Sequence, residues 1–300
     1  MKALLLVNPS SGGGRGRRLA PRLRRLLTRP GLELQVAVTA SAAEAAGAAR
    51  GYLASGGNRV IAAGGDGTIN SLLPALLDSP AALACIPTGT SNGLARELGL
   101  PLSIEEACRL AGEGQPRRID IGLAGNRCFA LMAGIGFDAE VVHRVTGRAK
   151  SRLGPWAYVF KGLEMLARRE PSRFELQLAD RTHHFGAWMV LVANAATYTY
   201  HWKLTPQARL DDGLLDICVF GDLGPLAALG QVVAALAGSH LRRPGVVCLR
   251  AHRAHVIADP PVAVQVDGDP AGFTPVQLDL RPRALAVVAP EPPPASGGEP

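Results

Sequence analysis

Three short glycine-bearing runs carry residues suited to handling phosphate. The first is Asn8-Pro9-Ser10-Ser11-Gly12-Gly13-Gly14, directly after an apolar run. Its glycines let backbone N–H groups approach an anion, and a following helix turns its positive end toward it. Ser10 and Ser11 add hydroxyl donors. No Gly-Lys-Ser/Thr follows, so this is not a Walker loop; a plain structural turn is the alternative. The second run is Ala62-Ala63-Gly64-Gly65-Asp66-Gly67-Thr68-Ile69-Asn70. Gly65 and Gly67 permit tight passage of backbone around phosphate. Asp66 is suited to holding magnesium through water or orienting an attacking hydroxyl, against the competing reading of a helix cap. The third run is Ile86-Pro87-Thr88-Gly89-Thr90-Ser91-Asn92-Gly93. Capping accounts for one of Thr90, Ser91 and Asn92 but not for all of them. Three such junctions within residues 1–100 argue for one phosphate-rich ligand.

The elements that must position these runs follow from hydrophobic periodicity. Strands are predicted at 3–7, 34–38, 60–63 and 82–86, with helices at 17–27, 42–54, 68–77 and 91–98. Runs two and three each join a strand to a helix. That alternation describes a parallel sheet flanked by helices, whose ligands gather at the carboxyl edge of the strands. After residue 120 the pattern changes to strand-like runs at 127–133, 173–178, 187–194, 214–220, 246–251, 255–258, 262–266, 276–280 and 284–289. Helical patterns persist at 138–145, 155–168 and 226–236. A second, mainly antiparallel β domain fits this better than continued βα alternation. The expected division is an α/β domain over 1–122, completed by a segment near 284–290, and a β domain over 123–283. Residues 291–300 have the composition of a disordered tail.

Composition narrows the class. Apolar residues make up 47% and charged residues 19% of the 300, which is a globular balance. The five cysteines (Cys85, Cys108, Cys128, Cys218 and Cys248) are scattered and without CxxC spacing. They read as reduced core residues of a cytosolic protein. The apolar start ends at Asn8 and Pro9, so it is a first strand rather than an export signal. No stretch reaches the ~20 apolar residues of a membrane span. Net charge is +7, and seven arginines lie between Arg15 and Arg29. Leu19, Leu23, Leu26 and Leu27 recur among them at helical spacing, giving a basic amphipathic helix. It is either a solvated face or an attractor for phosphate on a nucleotide or an anionic membrane surface. Nucleic acid is not expected, because there is no groove-reading motif and little aromatic stacking potential.

Taken together, the three runs resemble the diacylglycerol kinase catalytic domain, in the superfamily that includes sphingosine kinases and, more distantly, NAD kinases. The Gly64–Thr68 run is specific to that superfamily, and the Pro87-Thr88-Gly89-Thr90-Ser91-Asn92-Gly93-Leu94-Ala95-Arg96-Glu97-Leu98 run favours its lipid kinases. Further matches extend the likeness over nearly the whole chain. They are Arg118-Ile119-Asp120-Ile121-Gly122, Gly134-Ile135-Gly136-Phe137-Asp138, Leu153-Gly154-Pro155-Trp156-Ala157-Tyr158, Ala208-Arg209-Leu210-Asp211-Asp212-Gly213 and Val266-Asp267-Gly268-Asp269.

The resemblance implies a fold of α/β plus β type, an N-terminal nucleotide-binding α/β domain and a C-terminal β-sandwich. It implies phosphoryl transfer from ATP, with Mg2+, to a lipid alcohol by a cytoplasmic, peripherally membrane-associated enzyme; a homodimer is compatible with it. Carried over by position, Asn8, Pro9, Ser10, Ser11, Gly12, Thr39, Gly65, Asp66, Gly67, Thr68, Ile69, Asn70, Ser71 and Thr90 would contact ATP. Asp66 would join a magnesium–water network with Asp120 behind it, and Asp269 would be the general base. Arg209, Asp212 and Leu214 would hold a structural magnesium, the first and last through backbone oxygens. This chain departs from the family in carrying Asp269 where relatives commonly have glutamate, and Gly93 where many bacterial diacylglycerol kinases have aspartate.

Other residues are read without the resemblance. Arg15 is better placed than Lys2 to add a cation at the first loop. His252 and His255 are three apart but lack acidic or cysteine companions, which argues against a metal. His183-His184 reads as an exposed turn. Tyr198, Tyr200 and Trp202 line a lipid groove, sit at a membrane interface or pack in the core. Two competing functions are an NAD kinase-like enzyme, which should lack the 87–98 run and the Val-Asp-Gly-acid motif, and a non-catalytic sensor, which should have lost Asp66 or the base.

Overall fold

The computed structural model describes residues 1–144, 172–199 and 202–291. Two compact units emerge: Met1–Arg118 with Leu285–Pro300, and Ile119–Ala284.

In the first unit, β1 (Lys2–Val7), β2 (Glu33–Val38), β3 (Arg59–Gly64) and β4 (Ala82–Pro87) form a parallel sheet. The last residues of β17 (Val276–Val288) complete it, pairing Ala286 with Ala82 and Val288 with Ala84. The order is β2-β1-β3-β4-β17. Strands β1, β3 and β4 are buried on both faces, which is why they read as unbroken apolar runs. One face packs Leu5, Ile61, Ala84 and Ile86 against α2 (Gly16–Leu27) and α6 (Ile104–Glu113) through Leu23, Leu27 and Ala107. Two other helices, α3 (Ala42–Ala54) and α4 (Asp66–Leu76), pack against each other, and they reach β1 and β3 respectively. Ser41 caps α3 by accepting the N–H of Glu44 at 3.2 Å, and Ser103 caps α6 by accepting that of Glu106 at 3.3 Å. The α6 pattern is absent from the sequence expectations above, although Ser103 and Glu106 have the spacing of a capping box and bond each other through their side chains at 3.0 Å.

The second unit is antiparallel. β9 (Thr182–Ala193) is its organising strand. Its first half pairs with β8 (Ser172–Gln177), and its second half pairs with both β7 (Met132–Gly136) and β12 (Leu215–Gly221). β12 also pairs with β13 (Val246–Ala251), and β14 (Arg253–Asp259) lies between β8 and β17. Phe129, Phe174, Val190, Ile217 and Leu278 meet in a common core.

Several local expectations are corrected. His183 and His184 lie inside β9, opposite Leu176 and Glu175, and not in a turn. The single strand expected at 127–133 is two, β6 (Arg127–Phe129) and β7. The N–H groups of Ala130, Leu131 and Met132 bond the Asp267 carboxylate at 2.7–3.0 Å, which takes two residues out of any ladder. The segments 276–280 and 284–289 are one strand, β17, continuous through Pro282 and Arg283. β5 (Pro116–Ala124) and β16 (Asp269–Phe273) are additional strands. Of the cysteines, Cys85, Cys108 and Cys218 are buried, but Cys128 is half-buried and Cys248 exposed, so the last is not a core residue. The run 153–158, the helix expected at 155–168, Tyr200 and most of the tail lie outside the described residues. No described helix is long and apolar enough to cross a membrane.

Candidate functional site

In the first unit, β2 lies on one side of β1 and β3 on the other, so the sheet reverses direction of growth at the carboxyl ends of β1 and β3. Ligands of open α/β sheets bind at that point. All three glycine-bearing runs meet there. Asn8 leaves β1 and donates from Nδ2 to Thr68 Oγ1 at 2.9 Å, tying run one to run two. Ser11 Oγ lies 2.9 Å from Thr88 Oγ1 and donates to Asn8 O at 2.9 Å, tying run one to run three. Gly65 and Gly89 pass so closely that a Cβ on Gly89 would lie 2.5 Å from Gly65 Cα. Leu94 N–H, in the first turn of α5 (Gly93–Glu97), donates to Asp66 Oδ1 at 3.2 Å.

That last bond settles what Asp66 does locally. The cap position of α4 belongs to Gly65, and Asp66 is the first helical residue. Its carboxylate is not used on its own helix; it reaches the start of α5 and holds runs two and three together, while remaining half-exposed. Asn92 closes the third run by accepting Gly89 N–H and donating to Gly89 O, both at 3.0 Å. It adopts φ +51°, a left-handed conformation that asparagine tolerates better than most residues. Gly12 has φ +59°, and a side chain there would meet Thr88 O at 2.6 Å. Arg15 Nε donates to Gly12 O at 2.8 Å, which places a guanidinium against the first loop.

The remaining ATP-contact candidates fall in two groups. Ser10, Gly67 and Thr90 are exposed, and Pro9, Asn70 and Ser71 are half-exposed. Thr39 and Ile69 are buried: Thr39 N–H bonds Val7 O at 3.0 Å, and Ile69 N–H bonds Gly65 O at 3.2 Å. Ile69 therefore supports α4 from the core side. Its side chain is not placed to touch a ligand.

In the second unit, Val266 and Asp269 pair across the two-residue turn Asp267-Gly268, both at positive φ (+46° and +85°). This is the geometry of a tight hairpin between β15 (Ala263–Val266) and β16. Asp267 turns inward onto three N–H groups of residues 130–132, and Gly268 N–H bonds Gln265 Oε1 at 2.7 Å. The turn is thereby fixed and Asp269, at its end, is exposed. The geometry thus separates a holding carboxylate from one presented to solvent.

Asp120 is fully buried, and each of its oxygens accepts a backbone N–H at 2.7 Å, from Gly213 and from Arg283. It anchors the Asp211-Asp212-Gly213 loop. Asp212 accepts Leu214 N–H at 3.1 Å and is ion-paired with Arg250, whose Nε also lies 3.3 Å from Asp216. Arg209 Nε lies 3.3 Å from Asp211. In this arrangement the Asp212 carboxylate is taken up by Arg250 and the Leu214 N–H, so a cation held there would have to share it with Arg250. Among the described residues no three His, Cys, Asp or Glu side chains cluster as a metal site. His252 Nδ1 bonds Gly213 O at 2.5 Å and His255 Nδ1 bonds Gln177 at 3.2 Å, so the two histidines face different partners.

Sequence reasoning missed one buried cluster. Asp138 lies at the start of α7 (Phe137–Arg144), bonded by Tyr198 Oη and, at 2.7 Å, by Gln265 Nε2. Glycine at 134 leaves room for this carboxylate, because a Cβ there would fall 1.9 Å from Asp138 Oδ2 and force it to move. Tyr198 is thus a half-buried partner of Asp138, while Trp202 is 38% exposed.

An α/β unit with three converging glycine-bearing bends, joined in sequence to an antiparallel β unit, fits a kinase of the lipid-kinase class. The family model for the diacylglycerol kinase catalytic domain matches residues 2–124, and that for the YegS C-terminal NAD kinase beta sandwich-like domain matches residues 132–289. The chain belongs to the diacylglycerol kinase catalytic domain family, and ATP is the co-substrate that membership implies. It is 34% identical over 300 residues to the protein named "Probable lipid kinase YegS-like" of Pseudomonas fluorescens, covering 99% of this chain and 98% of that one. It is 29% identical over 293 residues to the diacylglycerol kinase of Bacillus subtilis, covering 97% of each. A crystal structure provisionally assigned to the diacylglycerol kinases, from Bacillus anthracis, superposes with a TM-score of 0.81 at 26% identity, covering 97% of this chain and 95% of that one.

Proposed function

We propose that the chain transfers the γ-phosphate of ATP to the hydroxyl of a diacylglycerol- or sphingoid-like lipid at a membrane surface. The observation that carries this is the convergence of Asn8, Ser11, Gly65, Asp66 and Gly89 at one edge of the first unit, linked by hydrogen bonds and by glycine contact. Only glycine leaves room for this close passage, and the N-termini of α2 and α4 add positive ends where triphosphate charge would lie.

Phosphoryl transfer demands positioning and charge neutralisation more than covalent chemistry. Ser10, Ser11 and Thr90 hydroxyls and first-turn N–H groups would orient the phosphates, with Arg15 as a fixed cation. Asp66 fits the part of a magnesium–water ligand because its carboxylate is half-exposed at that edge and bonded to only one backbone N–H in the described contacts. Magnesium, when bound, supplies screening of the phosphate oxygens. Asp269 would accept the proton of the lipid hydroxyl; its exposure and its rigid turn suit that role. The buried, doubly bonded Asp120 acts as a positioning residue for the 211–213 loop and not as a ligand. The second unit would receive the lipid.

The test is transfer of labelled phosphate from ATP to diacylglycerol, monoacylglycerol, sphingosine, undecaprenol and phosphatidylglycerol in mixed micelles. Asp66→Asn and Asp269→Asn are each expected to lower turnover by about 10²-fold or more while leaving the melting temperature unchanged. Full turnover in either variant would remove that residue from its assigned role.

A further inference from the structure

Helix α8 (Pro225–Leu236) has two unlike faces. Ala228, Gln231 and Ala234 are buried, recurring every three positions. Gln231 fixes this side: its Oε1 accepts Trp188 Nε1–H at 2.7 Å, and its Nε2 donates to the carbonyls of Gly221 and Pro244 at 3.2 Å. The opposite stripe is Leu226, Leu229, Val233 and Leu236, respectively 86%, 42%, 54% and 51% exposed. Leu223 before the helix is also exposed, as are Leu241 and Val247 beyond it. The helix packs on the 3-10 turn His240–Arg242, and that turn packs on β13, so these residues belong to one region. Single apolar residues are ordinary on a protein surface, but a stripe with apolar neighbours marks a binding face.

The charge around the stripe identifies the occupant. From Leu223 to Arg250 there is no Asp or Glu; Asp222, just before that span, is half-exposed and accepts Gly224 N–H at 3.1 Å, and Arg242 and Arg243 stand exposed beside the helix. An apolar stripe flanked by arginines, with the neighbouring Asp222 engaged on the backbone at the helix start, complements a surface that is apolar inside and anionic outside. At twelve residues α8 is about 18 Å long, too short to span a bilayer and suited to lying in its interface. The arginine-rich helix α2 is not equivalent. Its Leu23 and Leu27 are buried, so its leucine face is used inside the first unit, and Arg22 and Arg29 pair with Glu105 and Glu113.

We infer that the α8 face of the second unit docks on an anionic lipid surface, with Leu226, Leu229, Val233 and Leu236 among the acyl chains and Arg242 and Arg243 at the headgroup phosphates. This gives the lipid-kinase reading a location for membrane contact, and it rests on that reading only for the reason such contact is needed. It is tested without catalysis, by co-sedimentation of the full chain with phosphatidylglycerol–phosphatidylcholine vesicles lacking diacylglycerol and ATP. Leu226→Glu with Val233→Glu should lower the bound fraction about tenfold or more, because two charges enter the apolar layer. Arg242→Gln with Arg243→Gln should weaken binding several-fold on these vesicles, flatten its salt dependence, and change nothing on pure phosphatidylcholine.

Wild-type binding by both paired variants would overturn the inference. So would a sedimentation-velocity dimer that dissociates in the glutamate variant while vesicle binding is retained, since a second copy of the chain would then own the face. Should the glutamate pair fail to fold, the arginine pair decides alone. Phosphorylation of a water-dispersed short-chain diacylglycerol is expected to survive in every variant. If wild type lacks that activity but binds vesicles as described, the kinase reading fails and the docking face stands.

Discussion

Asp267 and Asp269 are two residues apart in one turn, yet they face different environments. Asp267 accepts N–H groups from Ala130, Leu131 and Met132, so Asp267→Ala strands three donors. An unsatisfied buried donor costs about 1–3 kcal/mol, partly relieved by water, and a loss of roughly 2–4 kcal/mol is expected for the variant in urea denaturation. Asp269→Asn, at an exposed site, should stay within about 0.5 kcal/mol of wild type. Equal stabilities for the two variants would refute this division. Asp138 offers a pH-dependent counterpart. Burial raises its carboxyl pKa above the ordinary range, and the Tyr198 and Gln265 hydrogen bonds pull it partly back. The folded state therefore holds this proton more tightly than the unfolded chain. Stability is lost as pH rises from the unfolded pKa through the folded one. Asp138→Asn removes that titration. Melting profiles of variant and wild type should shift in the variant's favour as pH climbs from acid to neutral, and parallel profiles would sink the argument. The convergence of the three glycine-bearing runs was legible because glycine, serine and threonine cluster at successive strand ends. The roles of Asp267, Asp138 and Asp120 were not legible, since their partners are backbone groups or side chains between 60 and 163 positions away.

At the scale of the element, the three bends form one object because their backbones touch. Gly89→Ala would place a methyl 2.5 Å from Gly65 Cα, a backbone atom that cannot swing aside. Separating the two strands' ends should cost about 1–3 kcal/mol. It should weaken binding of a fluorescent ATP analogue more than Gly67→Ala, whose Cβ would meet nothing within 4 Å. Equal affinities in the two variants would contradict the contact. The α/β elements were readable because β1, β3 and β4 are buried on both faces and alternate with helices. β5 was harder, because Pro116, Arg117, Arg118 and Asp120 break its apolar pattern, and the buried Asp120 is accommodated by the N–H groups of Gly213 and Arg283. The His183-His184 pair misled for a related reason. The first half of β9 alternates between exposed and half-exposed residues, so its polar side chains look like a turn when its partner β8 is not in view.

For the whole molecule, the change from alternating βα to successive β runs near residue 120 marked where the architecture changes. The chain's last strand was the feature that periodicity divided wrongly, because Pro282 and the left-handed Arg283 interrupt an otherwise continuous ribbon. That ribbon has a bearing on biosynthesis. Residues 286–288 pair with β4 and supply the fifth strand of the sheet whose other four are translated first. Until the ribosome has released residues 286–288, β4 is left as a bare edge, open to pairing with any passing chain. Completion of the 1–118 sheet must therefore wait for residues 286–288, and a fragment ending after residue 118 would be aggregation-prone.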